Sequence, residues 1–238
     1  MEIFLQSETW ISLLTLTFLE IVLGIDNIIF ISIVADKLPK EHQSKARTIG
    51  LLLAIVIRVA LLFGISWIIQ LTEPILTIQD FELSVRDLIL VVGGLFLLAK
   101  STSEIHQKIE GDSVEESASK TAMNSVSRAI TQIVLLDVVF SFDSILTAVG
   151  LSDEIIIMVC AVVISLLVML LFAQKISDFV NENPTVKMLA LAFLLMIGTL
   201  LILDGAHVHV PKGYIYFSLA FSLMVEFLNQ KMRKKKTA

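Results

Sequence analysis

Leu19-Glu20-Ile21-Val22-Leu23-Gly24-Ile25-Asp26-Asn27-Ile28-Ile29 places two acids inside a run of apolar residues long enough to cross a bilayer. The pattern returns as Leu136-Asp137-Val138-Val139-Phe140-Ser141-Phe142-Asp143-Ser144-Ile145-Leu146. In each copy a carboxylate is followed six residues later by an aspartate, and then by a small polar residue. A charge at the bilayer centre costs roughly 2.5–3.5 kcal/mol on insertion scales. Four unpaired acids would cost on the order of 10 kcal/mol, so they need a neutralising partner. A transported cation supplies one.

The rest of the chain fits a membrane setting. Its 238 residues are 56% hydrophobic, above the roughly 45–50% usual in soluble domains. The spacing predicts an all-α, polytopic protein with seven spans, at about 10–35, 48–71, 87–100, 129–151, 154–172, 188–204 and 213–228. The third and seventh are short as drawn. Lipid offers exposed backbone groups no partner, which excludes irregular or sheet structure within the spans. The first apolar stretch is too long for the core of a cleavable signal peptide. The single cysteine, Cys160, lies in an apolar run and excludes an internal disulfide or a thiolate cluster. The net charge of -5 says little, because most charges sit in short loops.

Orientation follows from lysine and arginine. With the N-terminus outside, only Arg86 and Lys212 of the 18 basic residues fall on the outer side, and Arg58 falls within a span. The others are cytoplasmic, including the tail Lys231-Met232-Arg233-Lys234-Lys235-Lys236. The topology is therefore N-out and C-in, with an odd number of spans. The polar segment 101–128 reads as a cytoplasmic tether between two halves.

The two motifs are 117 residues apart and lie in the first and fourth spans, which run in opposite directions. This is the pattern of a 3+3 inverted repeat with one helix added. Residues 1–100 form the first repeat, 129–204 the second, and 205–238 the seventh helix and basic tail. Secondary transporters built this way hold their site near the midplane, where the repeats meet. A pseudo-two-fold axis would bring Glu20, Asp26, Asp137 and Asp143 together.

Helical period puts Glu20 and Asn27 on one face, and Asp137 and Ser144 on another. Asp26 and Asp143 then point about 120° away from their partner acids on an ideal helix. A local break at Gly24 and at Ser141 is expected to resolve this, and would free backbone carbonyls as ligands. The donors are carboxylate, amide, hydroxyl and carbonyl oxygens, which suit Mg, Ca or Mn rather than Zn or Cu(I). Mn against Mg stays open, because no thioether or imidazole lies near either motif. The same carboxylates can carry protons when the metal leaves, which would couple the two fluxes.

Arg58, in the middle of the second span, has two readings. It is a structural counter-ion to the acids, or a gate that occupies them when no cation is bound. Asp204, His207 and His209 cluster at the outer end of the sixth span and read as an exposed polar loop, with a metal exit site as the alternative. Asp87 and Glu226 lie near span ends, within reach of the interface. Gly93, Gly94 and Gly198 are expected to let helices approach closely.

The segment Thr17–Asn27 and the later Leu135–Ser144 resemble the paired signatures of the TerC family of bacterial integral membrane proteins. Val210-Pro211-Lys212-Gly213-Tyr214-Ile215-Tyr216-Phe217 resembles its shorter members. The resemblance covers nearly the whole chain. It implies a seven-helix fold similar to the LysE transporter superfamily, in the bacterial inner membrane. It also implies export of Mn(II), with links to tellurite resistance and to metal loading of exported proteins. Carried to matching positions, the metal site would be Glu20, Asp26, Asn27, Asp137, Asp143 and Ser144. Some members add cytoplasmic domains after the membrane part, whereas this sequence ends soon after its seventh span.

The leading expectation is a secondary transporter exporting divalent cations, foremost Mn(II). The alternatives are a cation/proton antiporter for another solute, and a membrane scaffold assisting metallation or insertion of exported proteins. An intramembrane aspartyl protease fits poorly. Such enzymes resemble one another in a Gly-x-Gly-Asp motif, whereas Gly-Ile precedes Asp26 and Ser-Phe precedes Asp143. No enzymatic activity, prosthetic group or nucleic-acid partner is expected; the partners are the cation, protons and lipid.

Overall fold

The computed structural model describes residues 7–78, 81–110, 122–149 and 154–236. In chain order the elements are α1 (Ser7–Leu23), α2 (Ile25–Asp36), α3 (Lys40–Phe63), α4 (Ile65–Gln70), β1 (Pro74–Ile78), β2 (Phe81–Ser84), α5 (Val85–Glu110), α6 (Ala122–Val149), α7 (Ile155–Glu182), α8 (Pro184–Gly205) and α9 (Lys212–Lys236). Among the described residues, six helical stretches are long and apolar enough to cross a membrane, with α1 and α2 together forming the first. The seventh span drawn from sequence lies in α9. That helix is 25 residues long, but its last turns are basic and its apolar stretch falls short of the other six.

The outer surface has the polarity of a lipid-facing one. Phe63 is 71% exposed, and Phe18, Leu171 and Phe217 are comparably bare. Apolar exposure on this scale marks a surface that meets something other than water. Burial is reversed inside, where Glu20, Arg58, Asp87 and Asp137 are among the enclosed polar side chains.

Local chemistry sets the helix ends. Pro184 stands in the first turn of α8, where its missing N–H costs nothing. The Gln43 amide on α3 donates to the carbonyls of Asp36 (3.2 Å) and Leu38 (2.9 Å), at and just past the end of α2, where helix carbonyls have no intrahelical donor. α5 is longer than the span drawn from sequence and takes up residues 101–110 of the expected tether. Within it Lys100 pairs with Glu104 at 3.2 Å and His106 with Glu110 at 3.1 Å, each one turn apart. Residues 122–128 belong to α6, and 111–121 lie outside the described residues. The antiparallel hairpin β1–β2 between α4 and α5 is an addition that the apolar pattern did not predict.

The helices form two compact units that do not follow the sequence halves. The first draws on Met1–Arg86 and Ser117–Phe179; the second draws on Asp87–Glu116 and Val180–Ala238. In the first unit α1, α2, α3 and α6 pack together. Gly50 lets α3 meet α6, since a Cβ there would stand 2.8 Å from Ile133 Cγ2. Buried Arg47 on α3 fastens α7, donating to Ser177 Oγ at 2.6 Å and to Gln174. In the second unit α5 and α8 cross at glycines, as expected. A Cβ on Gly94 would stand 2.5 Å from the Gly198 carbonyl oxygen, and one on Gly198 would stand 3.0 Å from the Gly94 oxygen.

Candidate metal centre

The candidate site lies wholly within the first unit. α1 ends at Leu23, and Gly24 forms a one-residue turn before α2 begins at Ile25. The Gly24 N–H bonds to the Ile21 carbonyl three residues back (3.2 Å), which tightens the end of α1. The break expected at Gly24 is present only as this one-residue turn: the backbone stays right-handed helical (φ -93°, ψ -3°), and the Gly24 carbonyl still accepts from the Ile28 N–H at 3.1 Å, so the helical face continues across it. The one expected at Ser141 is absent, because α6 runs unbroken through it. The Ser141 hydroxyl bonds to the Asp137 carbonyl at 2.5 Å, satisfying its polarity inside the helix rather than interrupting it.

Four elements bring their polar groups to one point. Glu20 (α1, 3% exposed), Arg58 (α3, 2%) and Asp137 (α6, 5%) are all enclosed. Arg58 Nη1 donates to Glu20 Oε2 at 2.7 Å, and Nη2 donates to Asp137 Oδ1 at 2.8 Å. Its Nε adds a second bond to Asp137 at 3.2 Å, so one planar guanidinium spans both acids. On α2, Asn27 Nδ2 makes a long contact of 3.5 Å with Asp137 Oδ1. Ser141 Oγ lies 3.2 Å from Asp137 Oδ2, and Ser144, near Glu20, donates its hydroxyl to the Ser141 carbonyl at 3.3 Å.

The structure thus gathers Glu20, Asn27, Asp137 and Ser144, and the first acids of the two sequence motifs share one arginine. The backbones of Asp26 and Asp143 belong to α2 and α6, but their side chains lie outside the described residues. Among the described residues, no group of three or more His, Cys, Asp or Glu is arranged to hold a metal.

One neighbour had no signal in the sequence. Gly24 is four residues after Glu20 and three before Asn27, on the face that both use. The space a Cβ would fill there is taken by the thioether of Met169 from α7, whose Cε stands 2.8 Å from that point. The Glu20 carbonyl oxygen stands 2.9 Å from the same point. Met169 is surrounded in sequence by leucines and valines and reads there as ordinary filling.

The polar groups of the second unit differ from expectation. Asp87 is 2% exposed rather than at an interface, and it holds His207 Nε2 at 3.0 Å. His207 adopts a left-handed backbone (φ 61°), which turns its ring back toward α5. His209 Nδ1 lies 3.7 Å from Asp204 Oδ1. Asp204 and Asp87 are therefore buried acids, each with a histidine, and only the histidines are exposed in the manner expected of a loop. Glu226 is half-buried and accepts from Thr185 Oγ1 at 2.5 Å.

A family model described as integral membrane protein TerC family matches residues 5–238. The UPF0053 inner membrane protein YgdQ of Escherichia coli (strain K12) is 55% identical over 228 residues, covering 96% of this chain and 95% of its own. A UPF0053 protein of Haemophilus influenzae is 48% identical over 227 residues, covering 95% of each. The UPF0053 inner membrane protein YoaE of Escherichia coli (strain K12) is 47% identical over 98% of this chain, which spans 45% of that longer protein. No solved structure matches. With six apolar spans among the described residues and such relatives, the chain is a multi-pass protein of the inner membrane.

Proposed function

Because this chain belongs to the integral membrane protein TerC family, we propose that it is a secondary transporter that exports divalent cations, foremost Mn(II), through the acids around Arg58. The observation that carries this reading is the shared guanidinium. Glu20 and Asp137 occupy the same place in two sequence motifs and meet at one buried cation. A membrane protein has little reason to keep buried acids in both motifs unless they handle charge.

In this reading the fold is a 3+3 inverted repeat. α9 is the seventh span, the N-terminus is outside and the basic tail is cytoplasmic. Arg58 holds the acids while no metal is bound, so an empty carrier does not cross the membrane with bare carboxylates. The incoming ion takes over Glu20 and Asp137, with Asp26, Asp143, Asn27 and Ser144 completing its oxygen shell. Four acids and one arginine carry a formal charge of three negatives, which one divalent ion and one proton neutralise. That balance supports coupling to protons.

The test is accumulation in cells. Expressed in bacteria stripped of their own manganese exporters, the chain should lower cellular Mn(II) and restore growth in excess Mn(II). The Asp26→Asn variant, present at equal level in the membrane, should do neither. Equal protection by both would remove the acids from the mechanism.

A further inference from the structure

Granted the divalent-cation reading, we infer that the Met169 thioether sets the selectivity of the site, turning it toward transition-metal ions and against Mg and Ca. Sequence spacing leaves only hard oxygen donors at the two motifs, a set that does not separate Mn from Mg. The fold packs a soft one against the helix that carries Glu20 and Asn27. Glu20, Gly24 and Asn27 lie on one helical face, and the Glu20 and Asn27 side chains both reach the Arg58–Asp137 cluster. Gly24 lies between them, and the absence of its side chain is what admits the sulfur. The Glu20 carbonyl and the thioether crowd the same point on that face. Met169 is 2% exposed, so its sulfur faces protein rather than lipid.

The chemistry follows from the position. Mg demands near-ideal octahedral oxygen coordination and gives up water reluctantly, and Ca takes six to eight oxygens. A thioether in the shell removes one oxygen position from either ion and returns little to a hard cation. Transition-metal divalents bind sulfur better and lose less. The methionine need not bind tightly; it discriminates by making the wrong ion worse.

The experiment is Mn(II) flux into proteoliposomes holding the full chain, with Mg(II) and Cd(II) as competitors, wild type against Met169→Leu. Leucine keeps the volume and removes the sulfur. Mg(II) should compete roughly tenfold better in the variant and Cd(II) roughly tenfold worse, the lower end of what losing a group that tunes a metal site costs. Lost packing would reduce all fluxes together and could not move the two competitors in opposite directions. Unchanged competition by both ions would overturn the assignment. If Met169→Leu does not fold, X-ray absorption at the cadmium edge on Cys160→Ser protein loaded with Cd(II) decides. A sulfur neighbour supports the assignment and an all-oxygen shell overturns it. The same absorption measurement decides the role of Met169 even if the wild type carries no Mn(II), a result that would sink the transport reading itself.

Discussion

Replacing Arg58 with glutamine removes the cation that Glu20 and Asp137 share at 2.7 and 2.8 Å. The two carboxylates stay enclosed. Breaking a buried ion pair by removing one partner costs about 3–5 kcal/mol, because a desolvated charge is left uncompensated. In a chain of this size ~1 kcal/mol corresponds to roughly 2–4 °C in melting temperature. The variant should therefore melt on the order of 10 °C below the wild type in detergent. The loss should be reversible by ligand, because the enclosed acid pair, left without its cation, now invites another. Mn(II) at a hundredfold excess over its dissociation constant returns about 2.7 kcal/mol. Mn(II) should raise the melting temperature of Arg58→Gln more than that of the wild type, where the ion must first displace the guanidinium. Neutralising the whole cluster, as Glu20→Gln with Arg58→Gln and Asp137→Asn, should recover much of the stability and abolish the response to metal. Melting of Arg58→Gln at the wild-type temperature, with no response to Mn(II), would refute the account of the triad.

Gly24→Ala should destabilise by about 1–3 kcal/mol, the usual cost of overpacking, because the new Cβ meets the Met169 thioether. Pairing it with Met169→Ala should restore part of that loss, which thermal melts of the single and double variants will show. Gly94→Ala should be at least as harmful, since its Cβ would stand 2.5 Å from the Gly198 carbonyl, a backbone atom that cannot rotate away; denaturation in detergent measures this. Asp143→Asn should insert normally, as read by membrane fractionation, yet fail to protect cells against excess Mn(II). A tag after Ala238 should be reached by protease only from the cytoplasmic side, as the basic tail requires.

Much of this arrangement is legible in the sequence. The acidic motifs identify Glu20 and Asp137 because a charge in lipid must be explained, and Arg58 follows as the basic residue in the middle of a span. The break at Gly24 is readable because glycine lacks a Cβ. Ser141 misleads because serine can either open a helix or bond back within it, and only the helix's surroundings decide. Met169 is illegible in principle. A methionine in an apolar run has no periodic or chemical signature, and its place beside the site is set by the glycine it faces on another helix. The burial of Asp87 is hidden for a similar reason. Its partner, His207, is remote in sequence and is turned inward by a left-handed backbone that composition does not reveal.

The most direct test of the central claim is Mn(II) flux in proteoliposomes, with Glu20→Gln and Asp137→Asn measured beside the wild type. The account predicts saturable Mn(II) flux in the wild type and its loss in both variants. Flux that persists in both folded variants, or no divalent flux in a folded wild type, would contradict it.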